Sequence, residues 1–273
     1  MIKTINAWVF APDRTLEDAL ALAKQNGFEA IELTIDEAGP ISTEMTEAQC
    51  RDVAGQLAAH GLKLSSLASG LGWKYPITAG GDVARKGIEA TRRSLQVAKW
   101  LGTDSVLLVP GGVAADFIPG FQNTDYVTAF NNARSGIAEI VAVAEDLGVT
   151  IAVENVWNKF LLSPIEFRDF IDSFGSKRVG AYFDVGNVLL TGYPDQWVRI
   201  LGNRISRVHF KDFKTSVGTL DGFCMLLDGD VDYPSVVAAL KSVGYDGYVT
   251  AEYFDSEALL GKLSAAMDNI LGR

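Results

Sequence analysis

The sequence predicts an α/β protein built as one closed barrel of eight strand–helix units. Eight short runs rich in Val, Ile and aromatic residues alternate with stretches whose apolar residues recur at helical spacing. Apolar runs of this kind are typical of parallel strands that are covered on both faces. No Ser-, Pro- or Gly-rich linker divides the 273 residues, and barrels of roughly 250 residues fold as one unit. We therefore expect a single-domain (β/α)8 TIM barrel over residues 1–273.

The short apolar runs are the strands of the predicted barrel. We expect them at residues 4–10, 29–35, 63–69, 105–110, 150–156, 179–185, 205–212 and 248–253. Three long stretches without periodicity, 70–82, 110–123 and 213–232, each follow a strand. The loops that follow barrel strands carry the active sites of such proteins, so we expect these stretches to form the pocket.

The helices are recognised by their spacing and by their ends. The first four are expected at residues 17–27, 46–61, 83–102 and 126–148. Asn26-Gly27 is a typical helix stop, and Ser163-Pro164 supplies the N-cap and first-turn residues that begin a helix. The last four helices are expected to begin at Ser163, Tyr193, Tyr233 and Ser256.

The composition restricts the partners of the protein. The net charge is −10 and the basic residues form no stripe, which argues against binding to nucleic acid or to an anionic membrane. The N-terminal segment becomes polar within about a dozen residues, too early for a signal peptide or a membrane span. We therefore expect a cytoplasmic protein that acts on a small molecule.

Four predicted strands end on a side chain that can bind a metal ion. These are Glu154, Asp184, His209 and Glu252, on the fifth to eighth strands. Singly, each has an ordinary explanation: a salt bridge for either glutamate, a turn cap for Asp184 and a hydrogen-bonded core position for His209. Together they would form a ring that repels itself without a cation, because these strands are neighbours in the barrel. Three carboxylates and one imidazole can hold one divalent ion and leave coordination positions open for a substrate.

The segments around these residues resemble a known family. They are AVENVWNKF, FDVGN, RVHFKD and GYDGYVTAEY, in that order. Over essentially its whole length the chain resembles the xylose-isomerase-like family of sugar and sugar-phosphate isomerases and epimerases. The resemblance implies one divalent ion (Mn²⁺, Mg²⁺ or Co²⁺, with Zn²⁺ as a further candidate) held by Glu154, Asp184, His209 and Glu252. It also implies that Glu154 and Glu252 are the catalytic acid/base pair.

The chemistry of an α-hydroxy carbonyl explains why two glutamates suit this role. The proton beside a carbonyl is weakly acidic, and a metal bound to the carbonyl and hydroxyl oxygens stabilises the enediolate that its removal forms. One carboxylate removes the proton, and a second carboxylate on the other face returns one with inverted configuration, which is epimerisation. Return of the proton to the neighbouring carbon is aldose–ketose isomerisation. Both outcomes are open at this point.

The chain departs from those relatives that epimerise free ketohexoses. The relatives carry a Glu six residues after the first ligand, a His three after the Asp and an Arg six after the His. Here these positions hold Phe160, Asn187 and Thr215. The missing polar contacts argue against a simple tagatose- or psicose-type 3-epimerase. The Asp-Val-Gly-Asn segment is more similar to members that act on sugar phosphates or on other keto-sugars.

Three residues are candidate substrate contacts. Asn187 lies one turn beyond its strand, where it can hold a hydroxyl or cap the turn. Lys211 shares the inward face of its strand with His209, and can meet a carbonyl or phosphate oxygen or neutralise the carboxylates. Trp73 can stack on a sugar face or pack against the barrel rim. The Gly111-Gly112 pair after the fourth strand is a weak candidate for a phosphate nest.

Other classes of function use the same fold. A lyase on the same metal site, like inosose dehydratase or the relatives that cleave oxidised glycosides, would release an enone or an aglycone that absorbs ultraviolet light. An AP endonuclease would need a three-zinc cluster with several histidines, and two histidines with a net charge of −10 argue against it. A non-catalytic binding protein would not need two free carboxylates. The expected partners are a small-molecule sugar and, by analogy with other barrels, a second copy of the chain.

Overall fold

The computed structural model describes residues 1–254 and 256–273, which form a closed barrel of eight parallel strands. The strands β1 to β8 are Ile2–Asn6, Ala30–Thr34, Lys63–Ala68, Ser105–Leu108, Thr150–Glu154, Val179–Asp184, Ile205–Phe210 and Tyr248–Ala251. Each strand pairs with the next along the chain, and β8 pairs with β1 to close the barrel. The predicted (β/α)8 TIM barrel is confirmed.

One main helix follows each strand. The helices α1 to α8 are Leu16–Gln25, Glu47–Ala59, Gly81–Leu101, Tyr126–Leu147, Pro164–Asp172, Pro194–Leu201, Tyr233–Ser242 and Leu260–Leu271. Gly102 and Gly148 end α3 and α4 in the left-handed conformation, which glycine adopts without steric cost. Within the described ranges, no helix combines the length and the apolar character needed to cross a bilayer.

The bounds of two predicted elements were wrong. The first strand was expected at 4–10, but β1 ends at Asn6, whose side chain accepts the N–H of Trp8 at 2.6 Å and begins a 3-10 turn over Ala7–Val9. The last helix was expected to begin at Ser256, but a 3-10 turn over Glu257–Leu259 comes first. Local side-chain capping and short turns end the regular pattern in ways that apolar periodicity does not reveal.

The core has two parts. The larger part packs the outer faces of the strands against the helices, with Phe28, Phe167 and Phe170 among its fully buried side chains. A smaller apolar cluster is formed by Ala68, Leu107, Val109, Ala152 and Tyr182. The protein also buries polar side chains. They include Asn6, Glu32, Ser66 and His209.

The loop after β7 is organised by one buried carboxylate. Asp212 Oδ1 accepts the backbone N–H groups of Phe213 and Val231 at 2.8 and 3.1 Å. Its Oδ2 accepts those of Leu227 and Gly229 at 2.9 and 3.2 Å. Four charge-assisted hydrogen bonds from the backbone to this one carboxylate stabilise the loop. The loop also contains a short hairpin in which 212–213 pair with 223–224.

Candidate metal centre and active site

The four predicted metal ligands converge at the C-terminal ends of their strands. The strand register brings them together, because Asp184 on β6 pairs directly with His209 on β7. On the other side of His209 lies Thr250 of β8, and Glu252 follows two residues later on the same face. Ligand atoms of Glu154, Asp184, His209 and Glu252 all lie within 4.8 Å of one another. The structure therefore brings together all four side chains.

The four side chains differ in their access to solvent. Asp184 and His209 have no exposed surface, whereas Glu154 and Glu252 are 8% and 5% exposed. Both glutamates line a cavity of about 770 Å³, which is within the size range of small-molecule sites. A molecule bound in this cavity would therefore meet the two glutamates, with Asp184 and His209 behind them.

His209 lies between one carboxylate on one side and three on the other. Its Nε2 is 2.9 Å from Oε2 of Glu32. Its Nδ1 faces the other three acids, at 3.2 Å from Glu154, 3.6 Å from Glu252 and 3.9 Å from Asp184. A proton on Nε2 that is donated to Glu32 leaves the lone pair of Nδ1 directed at the cluster, and such a carboxylate partner is usual for a histidine that binds metal.

Glu32 is a residue of this site that the sequence analysis missed. It is fully buried on β2 and accepts hydrogen bonds from Asn6, Tyr182 and, at 2.8 Å, Ser66. Burial opposes the ionisation of Glu32, but His209, Tyr182 and Asn6 outweigh it and hold the pKa of Glu32 below the usual value. The signal in the sequence was a charged residue inside the apolar strand Ala30–Thr34, whereas the four predicted ligands were identified by their positions at strand ends.

Asp184 is held by two asparagines. Asn155 bridges to its backbone, donating from Nδ2 to the Asp184 carbonyl and accepting the Asp184 N–H, both at 2.8 Å. The backbone N–H of Asn187 donates to Oδ1 of Asp184 at 2.8 Å, and its side-chain amide donates to the Asn155 carbonyl at 3.0 Å. Asn187 therefore caps the turn. It also lines the cavity, as a substrate contact would.

Lys211 points into the same cluster. Its Nζ lies 2.6 Å from Oε2 of Glu252 and 3.5 Å from Oδ2 of Asp184, and 4.8 Å from the centre of the Phe223 ring. Of the two roles considered from the sequence, this geometry corresponds to neutralising the carboxylates. The ammonium group also lines the cavity, so it stays within reach of a bound molecule.

Burial and like charge shift the pKa values in this cluster. Burial raises the pKa of Asp184 to about 7, and burial with the neighbouring Glu252 also raises the pKa of Glu154. Burial opposes ionisation of Glu252 as well, but the positive charges of Lys211 and His209 outweigh it and lower its pKa. Burial likewise disfavours the charged form of His209, yet the surrounding acids raise its pKa well above the usual value. The cluster has more carboxylates than its two cationic groups can satisfy.

The donor set fits a divalent metal ion. Within residues 1–254 and 256–273, Oδ2 of Asp184 is one of the few buried side-chain oxygens that accept no hydrogen bond. A buried carboxylate oxygen without a partner is costly, and a coordinated cation would remove that cost. Three carboxylates and one imidazole nitrogen are donors that divalent ions take in enzyme sites. An ion here would be held by Glu154, Asp184, His209 and Glu252.

Trp73, the third predicted substrate contact, lines the cavity with the two glutamates. Its ring meets that of Phe117 edge-on, with centroids 5.3 Å apart. Both interpretations of Trp73 from the sequence are compatible with this position, since the ring contacts Phe117 while the residue borders the cavity.

The Gly111-Gly112 pair is used for close packing. A Cβ on Gly111 would lie 2.4 Å from Pro76, and one on Gly112 would lie 2.5 Å from Asn158. The N–H of Gly112 already donates to Oγ1 of Thr78 at 3.0 Å. The glycines allow neighbouring loops to approach, which argues against a phosphate nest at this position.

The fold and the site together define a class of protein: a (β/α)8 barrel with a carboxylate-rich candidate metal centre at the C-terminal ends of its strands. Comparison with known sequences gives the family within this class. The chain belongs to the xylose isomerase-like TIM barrel family, whose profile matches residues 20–270. The family resemblance stated from the sequence is confirmed.

Two relatives and one solved structure illustrate the similarity. The uncharacterised protein MJ1311 of Methanocaldococcus jannaschii is 28% identical over 183 residues, which are 65% of this chain and 60% of that protein. L-ribulose-5-phosphate 3-epimerase UlaE of Salmonella paratyphi C is 26% identical over 245 residues, 88% of this chain and 83% of that protein. The superposition on the crystal structure of a D-tagatose 3-epimerase-like protein covers 100% of this chain and 97% of that protein's chain, with a TM-score of 0.80 and 21% identity. This is a likeness of fold.

Proposed function

We propose that this protein is a divalent-metal-dependent epimerase or isomerase of a keto-sugar, with a ketose or a ketose phosphate as the expected class of substrate. The observation that carries the proposal is the difference in exposure within the cluster. Glu154 and Glu252 line the cavity, while Asp184 and His209 lie buried behind them. Two carboxylates that face a bound substrate are suited to removing and returning a proton at carbon.

The proposed ion is Mn²⁺, Mg²⁺ or Co²⁺, with Zn²⁺ as a further candidate, because three oxygen donors and one imidazole suit these ions. When bound, the ion supplies positive charge that stabilises the negative charge developing on the substrate oxygens. Glu32 would hold His209 in the tautomer whose Nδ1 is free to bind. Lys211 adds a fixed positive charge beside Glu252.

Glu154 and Glu252 would move the proton. Glu154 ends β5 and Glu252 follows β8, and these two strands flank β6 and β7 in the barrel. The two carboxylates therefore approach the cavity from opposite sides of Asp184 and His209. A proton taken by one glutamate and returned by the other gives inversion, which is epimerisation. A proton returned to the neighbouring carbon gives isomerisation.

The relatives support the reaction class. UlaE is named as a 3-epimerase of a ketose phosphate, and the structure with the similar fold as a D-tagatose 3-epimerase-like protein. A 3-epimerase inverts the carbon next to a ketone, which is the chemistry that two facing carboxylates can perform. We propose the same class of reaction for this chain.

The proposal is tested with the purified protein in D₂O. Ketoses and their terminal phosphates are incubated with Mn²⁺, and deuterium incorporation and epimer formation are followed by NMR. We expect deuterium at the carbon beside the carbonyl and an epimer or an aldose as product, both abolished by EDTA. An enone that absorbs in the ultraviolet would identify a lyase instead. Absence of exchange on the whole panel with Mn²⁺, Mg²⁺, Co²⁺ and Zn²⁺ would contradict the proposal.

A matched control variant shows whether a loss of deuterium exchange is specific to the site. Glu29 directly precedes β2, and its carboxylate bonds to the backbone of Lys3 and to Arg273. Glu29→Gln therefore removes a carboxylate that is not part of the cavity lining. We expect this variant to keep the exchange rate of the original protein, and Glu154→Gln to lose it.

A further inference from the structure

The cavity in front of Glu154 and Glu252 is rich in aromatic side chains. Seven aromatic residues border it, including three of the five tryptophans of the chain. They are Trp8, Trp73, Phe117, Trp157, Phe223, Tyr253 and Phe254. Trp8 and Phe254 are stacked, with ring centroids 5.1 Å apart and planes 11° from parallel. Aromatic faces of this kind bind the apolar face of a sugar or another ring.

The cavity offers little positive charge. Among the residues described, Lys211 is the one basic side chain of the lining, and its ammonium is 2.6 Å from Glu252. Lys159, in the adjoining groove, is paired with Asp116 at 2.8 Å. A phosphate group binds to arginine, lysine or a helix N-terminus with free N–H groups. Both of these lysines are therefore already paired with a carboxylate.

Several polar side chains of the lining are engaged with the backbone. Tyr253 donates to the Cys224 carbonyl, and Trp157 donates to the Asn187 carbonyl at 2.8 Å. Ser256 donates to the Phe254 carbonyl at 2.7 Å. Ser69 accepts the N–H of Leu71 at 3.0 Å. These groups are therefore less available to hydroxyls or phosphate, and aliphatic side chains such as Met225 and Leu259 also line the cavity.

The loop that follows β7 is acidic. The segment that follows β7 carries Asp221, Asp228, Asp230 and Asp232, and the whole chain has a net charge of −10. Barrels that bind a substrate phosphate commonly hold it in the loops after the seventh and eighth strands. Here the loop after β7 carries Lys214 but is acidic overall, which disfavours a dianion, and the Gly111-Gly112 pair is closed by Thr78 and Asn158.

We infer that the substrate is an unphosphorylated keto-sugar that carries an uncharged apolar substituent, such as an aryl group, at the end away from its reacting carbonyl. The reacting hydroxyketone would lie at Glu154 and Glu252, and the substituent among Trp8, Trp73 and Met225. A cavity of about 770 Å³ is larger than one pentose or hexose needs and fits a sugar with an attached ring. This inference rests on the proposed function and names its substrate class, which differs from that of the ketose-phosphate epimerase UlaE.

Binding of matched ligands tests the inference. The Mn²⁺-loaded protein is titrated calorimetrically with D-fructose, D-fructose 6-phosphate and 6-O-benzyl-D-fructose, and with the same three forms of L-sorbose. We expect the benzyl ether of at least one sugar to bind about tenfold more tightly than the free sugar, and the phosphate to bind more weakly than the free sugar. Tighter binding of the phosphates, equal binding of ethers and free sugars, or no binding at all would overturn the inference.

Two pairs of variants assign the effect to the cavity. Trp73→Ala should reduce the preference for the benzyl ether over the free sugar several-fold, and Trp73→Phe should retain most of it. Met225→Arg should improve binding of the phosphate relative to Met225→Gln, because the arginine supplies the missing cation. A preference that is the same in Trp73→Ala as in the original protein would contradict the assignment.

The inference and the proposed function can fail separately. Deuterium exchange is measured on the same ligands in D₂O. Preferential binding of the benzyl ethers without exchange on any ligand would support the substrate class and contradict the epimerase or isomerase activity. Exchange that is fastest on the phosphates, with the tightest binding there, would support the activity and overturn the substrate class.

Discussion

Glu32 and His209, which are 177 residues apart in the chain, are joined inside the barrel by a contact of 2.9 Å between Oε2 and Nε2. Neither side chain has any exposed surface. The contact determines the orientation of the imidazole ring, so that Nδ1 is directed at the three carboxylates of the candidate metal centre. Three further donors, Asn6, Ser66 and Tyr182, hold Glu32 in place.

The first prediction concerns this contact. Glu32→Gln keeps the shape of the side chain but removes its charge, so it should hold the metal-binding tautomer of His209 less well. Loss of such an outer carboxylate commonly weakens metal binding about 10- to 100-fold. Calorimetric titration of the metal-free protein with Mn²⁺ measures the change.

Glu29→Gln is the matched control, because it removes a carboxylate from the start of the same strand without touching the cluster. Its affinity for Mn²⁺ should equal that of the original protein. Equal affinities in Glu32→Gln and Glu29→Gln would show that Glu32 does not position His209.

The second prediction concerns the stability of the metal-free protein. Asp184→Asn removes one of the crowded carboxylates and keeps an oxygen for the N–H of Asn187. Its new amide can donate to a neighbouring acid where Oδ2 now has no hydrogen bond. We expect the free energy of unfolding in EDTA to rise by about 1 kcal/mol, while the stabilisation by Mn²⁺ is lost. Thermal melts in EDTA and in Mn²⁺ measure both effects.

His209→Ala removes a proposed metal ligand but leaves all the carboxylates in place, in contrast to Asp184→Asn. It should also lose the response to Mn²⁺, yet be destabilised in EDTA because it leaves buried acids without a partner. Circular dichroism should show a folded barrel in both variants. A melting point of the original protein that ignores both EDTA and Mn²⁺ would contradict a metal centre in this cluster.

The third prediction concerns the loop after β7. Asp212→Asn replaces an oxygen that accepts the N–H groups of Leu227 and Gly229 by an amide that cannot accept them. We expect faster hydrogen exchange across residues 213–231 and a loss of about 1–3 kcal/mol in the free energy of unfolding. Hydrogen exchange followed by mass spectrometry resolves this segment from the barrel strands.

Asp230→Asn is the control for the same loop. Its carboxylate is exposed and bonds only to Thr215 in the described structure. It should change exchange near Thr215 alone. Uniform exchange in Asp212→Asn and the original protein would show that the loop is ordered by other contacts.

The fold and the four converging side chains were predictable because their signals are local. A charged residue at the end of a short apolar run can be read from the sequence, and the barrel topology then brings the ends of neighbouring strands together. The length of β1 was not predictable, because the side chain of Asn6 ends the strand by accepting the N–H of Trp8.

The partners of these side chains were not predictable, because they are contacts between distant segments. Asn155 was passed over beside Glu154, although it bridges β5 to Asp184 on β6. Glu32 was missed because a single acid within a strand has many ordinary explanations. The contact of 2.6 Å between Lys211 and Glu252 joins two distant segments, so the sequence does not reveal it.

The central claim is that Glu154 and Glu252 act as a pair of bases on one substrate, and deuterium exchange in Glu154→Gln and Glu252→Gln tests it most directly. A glutamine keeps an oxygen near the metal centre but cannot accept the proton. With any turned-over keto-sugar in D₂O and Mn²⁺, each variant should lose net inversion by roughly two orders of magnitude or more. One of them should still exchange the substrate proton from a single face. Full activity in both variants would contradict the claim and leave the two glutamates as metal ligands only.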